Sequence, residues 1–167
     1  MECPKRKLLR LPRYDYSSAG YYFVTVCTKD RAKLFWDMGR AGLEPAPTNA
    51  FGEIVAETWE KLPVHVPGIR ADKYVVMSNH FHGIIILEGG LVGAGSKPAR
   101  TPITEIMRQF KTFSARKINE MRGMQGAPIW QRGYYDHVIR DEADYLRIWD
   151  YIDTNPAKWE EDEYYAP

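Results

Sequence analysis

The sequence predicts one α+β domain in which strands and helices alternate along the chain. Length supports this, because 167 residues with 44% hydrophobic and 13% aromatic side chains are enough to bury one core. Short β-branched and aromatic runs also alternate with segments of helical periodicity. Two of the apolar runs are separated only by Ser78-Asn79, which is typical of an antiparallel hairpin.

Each element of the domain has its own signal. Strands are predicted where β-branched and aromatic residues concentrate, over 21–27, 69–77, 80–87 and 135–140. Helical spacing of apolar residues predicts helices over 51–62, where Pro63 is expected to end the helix, and over 104–121. Asp141 is a good N-cap for a last helix that runs to about Thr154. The order β-α-β-β-α-β, followed by a helix, is that of a ferredoxin-like or RRM-like fold with an antiparallel sheet and two helices on one face.

Four segments of this single domain, 1–167, differ from the rest in composition. The N-terminal residues 1–13 form a basic arm, in which five cations face one acid. Residues 39–49 and 88–102 are rich in Gly and Pro and are predicted to be loops. Residues 160–167 are predicted to be an acidic tail. The basic arm is either a solvated terminus or a segment that contacts a polyanion.

Composition also indicates the cellular compartment in which the protein is expected. Cys3 and Cys27 lack the spacing of a metal site and are expected to be reduced thiols. The sequence contains no signal-peptide pattern and no apolar run of membrane-spanning length. We therefore expect a cytoplasmic protein with no membrane function.

The most informative motif is Asn79-His80-Phe81-His82, at the start of the third predicted strand. Alternation along a strand places His80 and His82 on one face and turns Phe81 towards the core. Two imidazoles on one face can share a divalent ion. The alternative is a structural pair in which each histidine bonds a backbone carbonyl.

A second candidate pair lies at the end of the last predicted helix. Tyr151 and Asn155 are four residues apart and share a face if the helix continues that far. Taken alone, a tyrosine on an amphipathic helix is usually a packing residue, and an asparagine before Pro156 is usually a helix stop.

A family resemblance rests on three blocks that occur in this order along the chain, residues 79–82, 129–142 and 150–159. Together they resemble the single-tyrosine HUH transposases, specifically the REP-associated tyrosine transposase branch, over about residues 12–159. Phe81 occupies the hydrophobic position between the histidines that gives the motif its name. Ser78 stands where relatives often have proline, which affects turn rigidity more than chemistry. The two Gly- and Pro-rich loops look like insertions relative to compact members.

The resemblance implies a transposase that binds single-stranded DNA hairpins such as REP-like palindromes. It would cleave and rejoin them through a 5′-phosphotyrosine, with Tyr151 on the C-terminal helix as nucleophile. His80, His82 and Asn155 would hold Mg²⁺ or Mn²⁺. Strand alternation places His137 on one face with Tyr135 and Ile139, where it is either a structural imidazole, which is the favoured interpretation, or a partner behind these ligands. The candidate DNA contacts are the basic residues Lys5, Arg6, Lys7, Arg10, Arg13, Arg108 and Lys111.

Two other functions stay open at this stage. One is a non-catalytic, domesticated nucleic-acid-binding module, and the other is a metal-dependent single-strand nuclease that uses water and in which Tyr151 is structural. An RRM-like binder needs exposed aromatic residues on its central strands, whereas here that face carries two histidines, which favours the enzyme. Both a homodimer and a monomer are compatible with the resemblance. The enzyme would be nucleoid-associated when bound to DNA.

Overall fold

Four strands form the sheet, and they are β1 (Gly20–Cys27), β2 (Ile69–Val76), β3 (His80–Leu87) and β4 (Tyr135–Ile139). The computed structural model describes residues 11–37, 48–89 and 101–165. The strands lie in the order β2-β3-β1-β4, and each neighbouring pair is antiparallel. The helices are α1 (Ala50–His65), α2 (Ile103–Arg122) and α3 (Glu142–Thr154), and a 3-10 helix follows over Asn155–Glu161. The predicted fold class and element order are confirmed.

Helices cover both faces of the sheet. The larger core lies under α1 and α2, where Trp59 and Phe110 pack on Phe81 of β3 with ring centroids 4.8 and 4.9 Å away. A smaller core on the opposite face joins Ile148 and Ile152 of α3 to strand residues. The histidine-bearing face of β3 is therefore the face that α3 covers.

The predicted end of the first helix at Pro63 is wrong, because α1 continues to His65. Proline this near a helix end removes a single backbone hydrogen bond, whereas the rest of the turn can form. The backbone N–H of Val66 donates to Leu62 O at 2.9 Å, and both side chains are buried. Tertiary packing thus extends the helix past a residue that usually ends one.

Gly83 sets the distance between β3 and α1. A Cβ at this position would lie 2.7 Å from Trp59 Cζ2 and 2.8 Å from Phe81 Cε1, well inside normal contact. Because it carries only hydrogen, the indole of Trp59 packs directly on the strand that bears the histidines. This contact holds β3 in place at the residue that follows His82.

Some predictions fall outside the described residues, namely those for Lys5, Arg6, Lys7, Arg10 and most of the two Gly- and Pro-rich loops. Within the part of the chain that the structure describes, no helix is both long enough and apolar enough to cross a membrane.

Candidate functional site

His80 and His82 lie side by side on one face of β3, as strand alternation predicts. Their Nε2 atoms are 3.0 Å apart, and both side chains are buried. The Nδ1 atom of His80 is 2.8 Å from Asn79 Oδ1, and that of His82 is 2.8 Å from Thr25 Oγ1. Because an amide oxygen only accepts, His80 donates from Nδ1 and its Nε2 keeps a free lone pair. A threonine hydroxyl can donate or accept, so either tautomer of His82 has a partner.

An acidic side chain from the C-terminal segment completes this cluster. The carboxylate of Asp162 is 1% exposed, and its Oδ1 lies 3.9 Å from His80 Nε2. Ligand atoms of His80, His82 and Asp162 all lie within 4.8 Å of one another, so the three residues form a group that could hold a metal ion. Asp162 is thus a candidate ligand that the sequence analysis did not single out.

Asn155 adds an unused oxygen to the same place. Its Nδ2 donates to Asp162 Oδ2 at 2.7 Å. Its Oδ1 is buried and has no hydrogen-bond partner within the described ranges. An unsatisfied buried oxygen beside two imidazoles and a carboxylate fits a divalent cation such as Mn²⁺ or Mg²⁺, whose ligands in proteins are of these types.

Tyr151 reaches the cluster from the third turn of α3. Its Oη lies 3.3 Å from His82 Nε2 and donates to Asp162 Oδ2 at 3.3 Å. The ring packs edge-on against Phe23 and against His82, with centroids 6.2 and 5.2 Å apart. The phenol of Tyr151 and the amide of Asn155 therefore both donate to one carboxylate oxygen, Asp162 Oδ2.

Burial controls the protonation of these groups. Burial lowers the pKa of His80 to about 3, and the positive charge of Arg31 adds to this shift. Burial also lowers the pKa of His82, and the neighbouring His80 adds to that effect. Both imidazoles are accordingly neutral at neutral pH, the state that binds metals. Burial raises the pKa of Tyr151 above its usual value, and the carboxylate of Asp162 raises it further.

The segment predicted as an acidic tail, 160–167, lies on the site as far as it is described. The Tyr164 ring is 4.8 Å from the His80 ring, and its carbonyl accepts a hydrogen bond from Asn79 Nδ2 at 2.9 Å. Trp159, which precedes Asp162 in the sequence, is also buried. Aromatic residues on both sides of an acidic run were the available signal that this segment packs, because a solvated tail has no need of them.

Similar proteins agree on one family. An uncharacterized protein of Haemophilus influenzae is 37% identical over an alignment 176 residues long, gaps included, which covers 96% of the chain and 93% of that protein. A second Haemophilus influenzae protein, provisionally named a REP-associated tyrosine transposase, is 27% identical over 147 residues, 87% of the chain and 75% of that protein. The solved structure of a REP-associated tyrosine transposase bound to a REP hairpin is 25% identical, with a TM-score of 0.56, over 90% of the chain and 73% of that protein. The chain resembles the REP-associated tyrosine transposases.

These similarities confirm the resemblance that the ordered motifs predict. A crystal structure of a provisionally named transposase from Deinococcus radiodurans has 14% identity and a TM-score of 0.50, and it covers 92% of the chain and 97% of that protein. At that identity the similarity supports the fold alone. No family model matches the chain.

Two of the predicted DNA-contacting residues lie on α2, which covers the opposite face of the sheet from the histidines. Arg108 is exposed and pairs with Glu105, its Nη2 lying 2.5 Å from Oε1. The Nζ atom of Lys111 donates to Gln131 O at 2.7 Å and Gly133 O at 2.9 Å. The structure does not bring these two cations to the candidate site. Arg13 is exposed in a turn that precedes β1.

His137 shares the sheet face of the site, but its partner is elsewhere. Its Nε2 lies 2.7 Å from Asp144 Oδ2, in the first turn of α3 and two turns before Tyr151. Asp144 also pairs with Arg147. These contacts give His137 a structural role in joining β4 to α3, which was the alternative to a place behind the metal ligands.

Proposed function

We propose that this protein is a transposase that binds single-stranded hairpin DNA and cleaves and rejoins it by transesterification through Tyr151. One observation carries the proposal: Tyr151 Oη lies 3.3 Å from His82 Nε2, which is itself 3.0 Å from His80 Nε2. A candidate nucleophile on α3 and a pair of buried ligand nitrogens on β3 are thus within contact distance of each other. The REP hairpin held by the solved relative supports a hairpin as the substrate.

Four side chains would hold the cation of this site. His80 and His82 would bind through Nε2, Asp162 through its carboxylate and Asn155 through its unpaired Oδ1. When bound, Mg²⁺ or Mn²⁺ supplies a Lewis acid that polarises the scissile phosphate. Asn79 and Thr25 hold the outer nitrogens of the two imidazoles, and such partners orient metal ligands.

The covalent step is a substitution at phosphorus. Tyr151 Oη forms the new bond to phosphorus, the bond to the 3′ oxygen of the preceding nucleotide breaks, and that oxygen takes a proton from solvent. The products are a 5′-phosphotyrosine and a free 3′-hydroxyl. Attack by a 3′-hydroxyl on the phosphotyrosine reverses the step and joins two strands without an energy-supplying cofactor.

The phenol needs a proton acceptor, because burial and Asp162 raise its pKa and keep it protonated in the free enzyme. Asp162 Oδ2 accepts the phenolic hydrogen bond at 3.3 Å and is therefore the group next to the departing proton. Phe23 and His82 hold the ring on two sides, so the oxygen stays aimed at the cluster during the attack.

The test is covalent capture of DNA. Purified protein is incubated with Mn²⁺ and a labelled single-stranded hairpin from DNA flanking the gene, and the products are run on a denaturing gel. We expect a protein–DNA adduct that Tyr151→Phe and His80→Ala both abolish. Tyr135→Phe is the matched control, because Tyr135 also packs on Phe23 and should leave the adduct intact.

Other outcomes would assign the alternative functions. Cleavage without an adduct, unaffected by Tyr151→Phe, would identify a nuclease that uses water. Hairpin binding without cleavage on several flanking hairpins would identify a non-catalytic module. Melting curves of each variant verify that a loss of activity is not a loss of fold.

A further inference from the structure

The turn that follows β1 has an unusual backbone. Asp30 and Arg31 both have φ of 55°, in the left-handed region. Non-glycine residues enter this region seldom, and two in succession are rarer because each side chain crowds its own backbone. Glycine adopts the conformation without steric cost. The backbone conformation would therefore favour glycine at position 31, and it does not explain why an arginine stands there.

This turn is fixed to the residue that precedes the metal-site histidines. Thr28 Oγ1 donates to Asn79 O at 2.9 Å, and the N–H of Arg31 donates to Thr28 O at 3.2 Å. Asn79, whose Oδ1 contacts His80, also directs its Nδ2 towards Arg31 O at 3.4 Å. The position of Arg31 is thus coupled to the site through one asparagine.

The Arg31 side chain lies at the rim of the site. Its Cζ is 5.7 Å from the centroid of the Tyr164 ring, and its Nη1 donates to Glu163 O at 3.4 Å. The same ring also packs against His80, with centroids 4.8 Å apart. The exposed guanidinium of Arg31 and the candidate metal-site histidine are therefore both neighbours of one aromatic ring.

The rim carries several cations together with an acid, Glu163, whose backbone carbonyl accepts from Arg31. Asp30, the acid of the turn, pairs with Lys29, whose Nζ is 2.7 Å from its Oδ1. Lys33 adds a further cation, with its Nζ 6.0 Å from the Tyr165 ring. Arg31 uses Nη1 in its bond to Glu163 O, and the other N–H donors of its guanidinium can bind a phosphate oxygen.

We propose that Arg31 binds a backbone phosphate of the DNA strand next to the phosphate that Tyr151 attacks. The turn after β1 is then a phosphate subsite, and its left-handed backbone serves to aim this side chain. The inference rests on the proposed function for its substrate, single-stranded DNA beside a hairpin.

Salt dependence of binding tests the subsite separately from cleavage. All variants are made in the Tyr151→Phe background, and the dissociation constant of a fluorescent flanking hairpin with single-stranded arms is measured against NaCl concentration. Arg31→Gly removes the guanidinium and also relieves the backbone, so this variant should melt at or above the parent temperature. We expect its affinity to fall about tenfold. The slope of log affinity against log salt should shrink by about 0.7, the value for one phosphate contact of a single strand.

Two further variants isolate the guanidinium. Arg31→Lys keeps the charge and should retain most of the salt slope. Asp30→Gly relieves the same backbone strain without touching Arg31, and it should bind with the slope of the parent. A slope lost in Arg31→Gly and kept in Arg31→Lys supports the subsite whether or not the unmodified enzyme forms an adduct. An unchanged slope in Arg31→Gly, or an equal loss in Asp30→Gly, overturns it.

Discussion

Replacement of Gly83 by alanine tests how the core positions the site. The added Cβ would lie 2.7 Å from Trp59 Cζ2 and 2.8 Å from Phe81 Cε1, about 1 Å inside ordinary carbon–carbon contact. Both rings are fully buried and cannot swing into solvent. Overpacking of this kind costs about 1–3 kcal/mol, while alanine recovers about 0.5–1 kcal/mol of the entropy that glycine loses in a strand. We expect a net destabilisation of about 1–2 kcal/mol.

That loss should appear as a fall of about 2–8 °C in Tm for a chain of this size. Urea denaturation gives the free energy directly, and titration with Mn²⁺ shows whether the displaced strand also weakens ion binding at the adjacent His82. Gly89→Ala is the matched control, because its Cβ would lie at an ordinary 3.7 Å from Ala19 Cβ. If Gly83→Ala is as stable as the unmodified protein, Trp59 does not hold β3 in the way described.

Three further predictions concern single side chains. In the metal-free protein, His80 should lower the free energy of unfolding by about 1.4 kcal/mol per pH unit as pH falls from 6.5 towards 3, because the unfolded chain binds a proton at His80 that the folded state, with a pKa of about 3, does not. His82 adds to the total slope, since burial lowers its pKa too. Urea denaturation between about pH 5 and 6.5 should show this slope, and a slope unchanged in His80→Gln would contradict it. Asp162→Asn should weaken Mn²⁺ binding at least about tenfold by calorimetry, and equal affinity would exclude the carboxylate as a ligand. Lys111→Met should lower the free energy of unfolding by about 1–2 kcal/mol, because two carbonyls lose their donor, and should leave hairpin affinity unchanged. Weaker hairpin binding at equal stability would instead make Lys111 a DNA contact.

Local signals predicted the elements that local chemistry determines. The run from His80 to Leu87 is β-branched and apolar, and the structure has β3 over these same residues. Strand periodicity then placed both histidines on one face without any knowledge of the core. Asp141 caps α3 by accepting from the N–H of Asp144, as its residue type predicts.

Two features that the sequence pattern did not predict depend on tertiary packing. The helix past Pro63 continues because buried neighbours hold its last turn, and periodicity alone does not contain that information. Asp162 stands in a run of four acidic residues, so composition could not distinguish the one buried carboxylate from three others. Its role depends on the 3-10 helix that brings the C-terminal segment back over His80.

The covalent role of Tyr151 is tested most directly by locating the DNA on the protein. Trypsin cleaves after Arg147 and Lys158, and the peptide between these sites contains Tyr151 and no other tyrosine. After reaction with the flanking hairpin and Mn²⁺, nuclease trimming and mass spectrometry should find a nucleotide phosphate on this peptide. A phosphonucleotide on another peptide, such as one containing Tyr164, or strand cleavage that leaves every tyrosine unmodified, would contradict the proposed mechanism.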